Sequence, residues 1–243
     1  MTQGKNNFLN SAVLGTALVI GGLPYNISHP SLERIAEAGQ TKKTPEIRQD
    51  GTAYDIGNLI YQAIKETEKG RSTNGYRTAY EDCERAIDAA RKSYASLSPE
   101  DTRYAQFKSL EIVAKMRQAK ILLDSGNNII KPGEKIKVKD LDELYANAKL
   151  NSGNTKFNHY KALENYLAVL DILQEAKERG IRLPINVDHP QLAGNGTVAN
   201  PQTVYKKMDD TIKLIMQNDP NDKNIPILIR EKLRLRKNFE RSY

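Results

Sequence analysis

Residues Phe157 to Leu173 read FNHYKALENYLAVLDIL. Phe157, Tyr160, Leu163, Leu167, Leu170 and Leu173 recur at steps of three and four, which places them on one stripe of a 3.6-residue helix and on neither face of a strand. A helix with so regular a stripe must bury it against another helix, and the same period is found on both sides of it. Upstream, Ile56, Leu59, Ile60, Ala63 and Ile64 form one stripe, and Tyr76, Tyr80, Cys83, Ile87, Ala90, Tyr94 and Leu97 form a second. A third stripe carries Tyr104, Phe107, Leu110, Val113, Met116 and Leu123. Downstream, Val204 to Met216 and Ile227 to Phe239 have Pro201 and Pro226 at their first turns, where a missing N–H costs nothing. The spacing predicts an all-α chain of antiparallel helical hairpins with a solenoid-like stacking.

Punctuation between the stripes sets the boundaries. Gly70, Gly126 and Gly180 stand where helices stop, and Ser98-Pro99-Glu100-Asp101 reads as a capped start with Ser98 as the cap. Asn127 to Val138, NNIIKPGEKIKV, places Pro132-Gly133 between short apolar pairs, which predicts a β-turn or hairpin insertion near residues 129–138. Asp140 caps a short helix ending at Asn151-Ser152-Gly153. The expected organisation is an apolar segment over 1–24, a linker over 25–53, a helical body over 54–180, an extended loop over 181–200, and a C-terminal helical pair over 201–243.

Within Leu144 to Ile172 the second helix has Ala162, Tyr166 and Leu170 at small, aromatic and aliphatic positions, and Ala79, Cys83, Ala86 and Ile87 echo that spacing. In these positions the region from about 54 to 180 resembles the tetratricopeptide repeat, although the connection from Gly153 to Ala162 is longer than in that repeat and Val169 replaces its second small residue. The resemblance implies a concave surface that binds a protein or peptide. Candidate partner-facing residues off the apolar stripes are Arg77, Glu81, Arg85, Asn158, Lys161 and Asn165.

The N-terminus has a different composition. No formal charge at neutral pH lies between Lys5 and Glu33, and the stretch FLNSAVLGTALVIGGL runs from Phe8 to Leu23. Its anchors are Phe8, Val13, Leu14, Leu18, Val19, Ile20 and Leu23. As a helix it would span about 24 Å, short of the roughly 30 Å hydrocarbon core. A cation, then an apolar run, then glycines and Pro24, resembles a signal peptide, so export or membrane attachment is expected; the alternative is a buried N-terminal helix in a cytoplasmic protein.

Chemistry-bearing motifs are sparse. His29, His159 and His189 share no metal-binding spacing, and the single cysteine, Cys83, lies on an apolar stripe. Gly194-Asn195-Gly196-Thr197 lacks the lysine of a phosphate loop. No catalytic residue, metal site or cofactor is predicted, and no small-molecule substrate is implied. Charge is more informative: the chain carries a formal +7 with a pI near 9.3. Over residues 230–241 six cations meet two carboxylates, a net of +4. Arg230, Arg234, Arg236, Lys237 and Arg241 are the candidate anion contacts, suited to anionic lipid or nucleic acid. Lys131, Lys135, Lys137 and Lys139 form a second basic cluster. The sequence thus favours a non-catalytic protein-binding or scaffold module, exported or membrane-attached. The alternative is a basic module that contacts nucleic acid or anionic lipid through its last helix.

Overall fold

In the computed structural model, which describes residues 52–69, 72–131, 134, 155–183, 192 and 200–241, the described residues form six helices and no strand. They are α1 (Ala53–Lys69), α2 (Thr73–Ala95), α3 (Thr102–Asp124), α4 (Lys156–Glu178), α5 (Pro201–Asn218) and α6 (Ile225–Arg241). The all-α expectation holds. The hairpin insertion at 129–138 and the short helix from Asp140 fall largely or wholly outside the described residues, as do Lys135, Lys137, Lys139, His29, His189 and every anchor from Phe8 to Leu23.

Most helix starts are set by a side chain that accepts from an otherwise unpaired backbone N–H. Thr52 and Asp55 form a reciprocal box: the Asp55 N–H donates to Thr52 Oγ1 at 3.2 Å, and the Thr52 N–H donates to Asp55 Oδ2 at 3.1 Å. Ser72 Oγ accepts from the Gly75 N–H at 3.1 Å, and Asn200 Oδ1 accepts from the Thr203 N–H at 2.8 Å with Pro201 in the first turn. The third helix corrects the sequence expectation, because its cap is Asp101 and not Ser98. Ser98 to Asp101 closes as a turn, with the Asp101 N–H on Ser98 O at 3.0 Å. The Asp101 carboxylate then accepts from the Arg103 N–H at 2.8 Å, a charged acceptor at the positive end of the helix dipole. At the other end of α4, Gly180 takes φ +68°. There the Ile181 N–H reaches Ala176 O at 2.7 Å and the Gly180 N–H reaches Lys177 O at 3.1 Å, so two terminal carbonyls are satisfied by a left-handed glycine.

Each helix packs on its neighbour in the chain, and α1 also reaches α3. The predicted stripe of α1, Ile56 to Ile64, is buried throughout. With Ile87 and Ala90 of α2 and Leu110 of α3, its Ile56, Leu59, Ile60 and Ile64 form one apolar cluster. A larger cluster runs from Tyr80 and Cys83 of α2 through Ile112 and Ala119 of α3 to Tyr160, Leu163 and Tyr166 of α4, then to Met208 and Ile212 of α5 and Leu228 and Leu235 of α6. Cys83 is fully buried, and burial pushes its thiol well above the usual range, so it behaves as a small core residue.

Two polar clamps tie connections to α4. Asn158, 1% exposed, donates to Ser125 Oγ at 2.9 Å and to Asn127 O at 2.6 Å, and accepts from the Ile129 N–H at 3.3 Å. This holds the chain leaving α3 so that Ile129 and Ile130 stay in the core. Tyr160 donates to Asp222 Oδ2 at 2.6 Å and accepts from Asn224 Nδ2 at 3.0 Å, which fixes the α5–α6 connection. A buried donor left without its acceptor costs about 1–3 kcal/mol. Asn158→Ala is therefore expected to lower the unfolding free energy by about 2–3 kcal/mol in urea titrations, whereas Asn74→Ala, on the exposed side of α2, should stay within about 0.5 kcal/mol. Equal values for the two would remove the clamp from the account.

Candidate functional site

A cavity of about 570 Å³ opens between the C-terminal half of α4, the start of α5 and the end of α6. Leu167, Leu170 and Leu173 of α4, Pro201 of α5 and Leu235 of α6 supply its apolar wall, and Tyr205 and Asn238 add polar edges. Its charged lining is Lys177, Arg234 and Arg241 against Asp171. Lys177 and Arg241 lie in the last turns of their helices, where a cation also complements the helix dipole, so the rim is basic for a local reason as well. The arrangement is a greasy groove with cations along its lip.

A second polar feature was not anticipated. On α3, Lys108, Glu111, Lys115 and Gln118 follow one another at steps of three and four and are all at most 7% exposed. Arg91 Nε of α2 reaches Glu111 Oε1 at 2.8 Å and the Tyr94 hydroxyl donates to Glu111 Oε2 at 2.8 Å. Lys108 Nζ lies 3.1 Å from Glu175 Oε2 of α4 and 4.4 Å from the centre of the Tyr94 ring. Asn165 donates to Gln118 at 3.0 Å. Near Ile130, Glu134 accepts from the Tyr80 hydroxyl at 2.5 Å and lies 3.3 Å from Lys161 Nζ, which is also 3.0 Å from Glu164. Burial, then the nearby Glu134 charge, raises the Tyr80 phenol, and burial likewise raises the Glu84 carboxyl. Apart from Lys115, the acids and bases of this seam are spent on one another, as expected of a structural ionic layer.

The sequence-derived candidates divide between these places. Arg234 and Arg241 line the groove. Arg230, Arg236 and Lys237 are exposed elsewhere on α6. Arg236 is held by Glu240 at 2.9 Å, and Arg234 by Glu231 at 2.8 Å. Arg77 is exposed on α2, Glu81 pairs with Lys131 at 2.9 Å, and Arg85 pairs with Asp82. Asn158, Lys161 and Asn165, expected on an exposed partner face, are buried at 1%, 6% and 5% and are used inside the protein. The reason is that α4 is covered on both sides, by α3 and by α5. His159 is buried with no hydrogen-bond partner for Nδ1 among the described residues, and burial lowers its pKa. Asp209 lies 2.5 Å from Lys213 and 3.2 Å from Lys232, so it ties α5 to α6. Among the described residues no group of His, Cys, Asp and Glu is placed to hold a metal ion, and no helix is long and apolar enough to cross a membrane. The groove was missed because its walls come from three separated segments. The seam left a signal in the sequence, the regular spacing of Lys108, Glu111, Lys115 and Gln118, which on an isolated helix reads as a solvated face.

The chain matches no known protein family, no curated protein and no solved structure.

Lys115 gives the seam a measurable consequence. Its amine is pushed down to about 8, first by burial and then by Arg91, with Glu111 and Glu164 pulling the other way. The folded chain thus binds this proton less tightly than the unfolded chain, whose lysine titrates near 10.5. Stability is reduced below pH 8 and recovers as the pH rises above that value. Lys115→Met is expected to be more stable than the wild type by about 1–2 kcal/mol at pH 7. Between pH 8 and 10 the difference should shrink in urea titrations; a constant or reversed difference would show that Lys115 is not penalised by burial.

Proposed function

We propose that this chain is a non-catalytic protein-binding or scaffold module, exported or attached to a membrane through residues 1–24, whose hairpins work as a tetratricopeptide-like, solenoid-like stack. The observation that carries this reading is the groove between α4, α5 and α6, with leucines in its wall and Lys177, Arg234 and Arg241 at its lip. An amphipathic peptide with carboxylates along one edge suits it. Each well-buried leucine of such a peptide contributes about 1.5–3 kcal/mol, against about 0.2–1 kcal/mol for an exposed ion pair. The apolar wall then supplies affinity, and the cations select the sign of charge.

A second reading has its own observation. On α6 the large apolar side chains Ile229 and Leu233 stand exposed among cations, which favours a basic module that contacts nucleic acid or anionic lipid through this helix.

The first reading is tested by fluorescence anisotropy of the full chain with labelled Glu/Leu and Lys/Leu amphipathic peptides. The acidic peptide is expected to bind more tightly. The double variant Lys177→Glu, Arg241→Glu should weaken it about tenfold and strengthen the basic one. Equal affinity for both peptides, or no response to the double variant, counts against the groove. Attachment is tested separately by cell fractionation: a chain lacking residues 1–24 should leave the membrane or exported fraction. Identical distribution of both forms would end that part of the proposal.

A further inference from the structure

Helix α6 carries apolar side chains on two faces, and among the described residues only one of these faces is buried. Leu228, Glu231 and Leu235, at 0%, 6% and 6% exposure, face the core. At about 100° per residue, Ile229 and Leu233 lie roughly opposite them, one turn apart. They are 42% and 56% exposed, and they account for two of the three large apolar side chains that stand exposed among the described residues. The same helical step puts Arg230 and Lys237 together on one flank of this strip, on the side that leads to Arg241 of the groove, and Arg236 beside Ile229. Lys232, on the other flank, lies 3.2 Å from Asp209. The carboxylate on this face, Glu240, is bound to Arg236.

We infer that the outer face of α6 docks on an anionic bilayer, with Ile229 and Leu233 entering the boundary between headgroups and acyl chains, and Arg230 and Lys237 meeting lipid phosphates. The inference rests on the second reading above and narrows it to one partner. Nucleic-acid phosphates would use the cations but leave two branched aliphatic side chains in water. A protein partner would need a wider apolar patch than two residues one turn apart. A bilayer interface takes both: a narrow apolar strip sinks a few ångströms while long basic side chains on its flank extend back to the phosphates. The groove lies off this face and is not required.

The chain contains no tryptophan, so Leu233→Trp introduces a single indole at the proposed depth without disturbing a buried position. Full-length L233W would be titrated with vesicles of phosphatidylcholine alone and with vesicles containing about 30% phosphatidylserine, the leaflet charge that attracts basic segments. The expected result is a blue-shifted emission on the anionic vesicles only. Partitioning should be about 25-fold stronger than on neutral vesicles, from about fivefold for each of two cations. That gain should disappear in about 0.5 M NaCl and in the Arg230→Glu, Lys237→Glu background. As a check free of the indole, flotation of Ile229→Ser, Leu233→Ser should show the same loss, with helical circular dichroism unchanged. Binding to both vesicle types with unshifted emission would assign attachment to another part of the chain and overturn the inference. Absent vesicle binding, salt-sensitive binding of duplex DNA that is lost in the double charge reversal would overturn it while leaving the basic-module reading in place. Binding to neither vesicles nor DNA would overturn both.

Discussion

The arrangement of α2, α3 and α4 depends on the burial of two lysines, a glutamate and a glutamine along one side of α3. Taking each ion out of water costs several kcal/mol, and partners recover that cost only with good geometry. Here three of the four groups draw a partner from a particular helix, and Lys115 bears its burial without one that compensates it. Glu111 is met by Arg91 and Tyr94 of α2, Lys108 by Glu175 of α4, and Gln118 by Asn165 of α4 and by the Tyr80 carbonyl of α2. Moving α4 along its axis by one residue shifts it about 1.5 Å and turns its side chains about 100°, which separates Glu175 and Asn165 from α3 together. Leucine and isoleucine contacts tolerate such repacking far better than a fixed donor and acceptor do. The apolar clusters supply cohesion, and the ionic seam determines which register of α2 and α4 on α3 is occupied.

Because α4 belongs to both the seam and the groove, the register set on one side fixes the geometry on the other. Lys161, Asn165 and Glu175 lie toward α3, whereas Leu167, Leu170 and Lys177 fall on the opposite side by the helical step. The other two walls are anchored independently. Lys156 pairs with Asp219, and Tyr160 holds Asp222 and Asn224, so the turn between α5 and α6 is fastened to the first turns of α4. Asp209 then bridges α5 to α6 through Lys232. The walls contributed by α5 and α6 are thus tied to α4 and to each other by contacts separate from the seam.

What the sequence made legible was the part governed by local periodicity. Ile56 to Ile64 and Phe157 to Leu173 mark helices because an apolar residue every three or four positions has one solution, and those helices stand where expected within a few residues. Caps were readable in kind but not always in place. Ser98 and Asp101 are both good caps, and their competition is decided by the charge on Asp101, a difference of three residues in the start of α3. Burial of polar side chains was not readable, since Asn158, Lys161 and Asn165 have the composition of a surface and become interior only once α3 and α5 enclose α4. The groove was half legible: the cations of α6 were evident, but the leucines that face them come from residues 60 or more positions earlier, and no local pattern reports such a meeting.

The basic run from Arg230 to Arg241 shows how far a charge count can mislead about a surface. In the sequence it is one patch of net +4. In the structure it divides three ways. Arg234 and Arg241 line the groove, with Arg234 held by Glu231, Lys232 and Arg236 are paired with Asp209 and Glu240, and Arg230 and Lys237 lie on the outer flank beside Ile229 and Leu233. Cations already paired with a carboxylate contribute little to the attraction of a distant anion, because the pair is nearly neutral beyond a Debye length of about 8–10 Å. The electrostatic reach of α6 is therefore smaller than its composition states and more local. Each set of cations stands beside its own apolar side chains: a leucine-lined groove on one side, and two exposed aliphatic residues on the other.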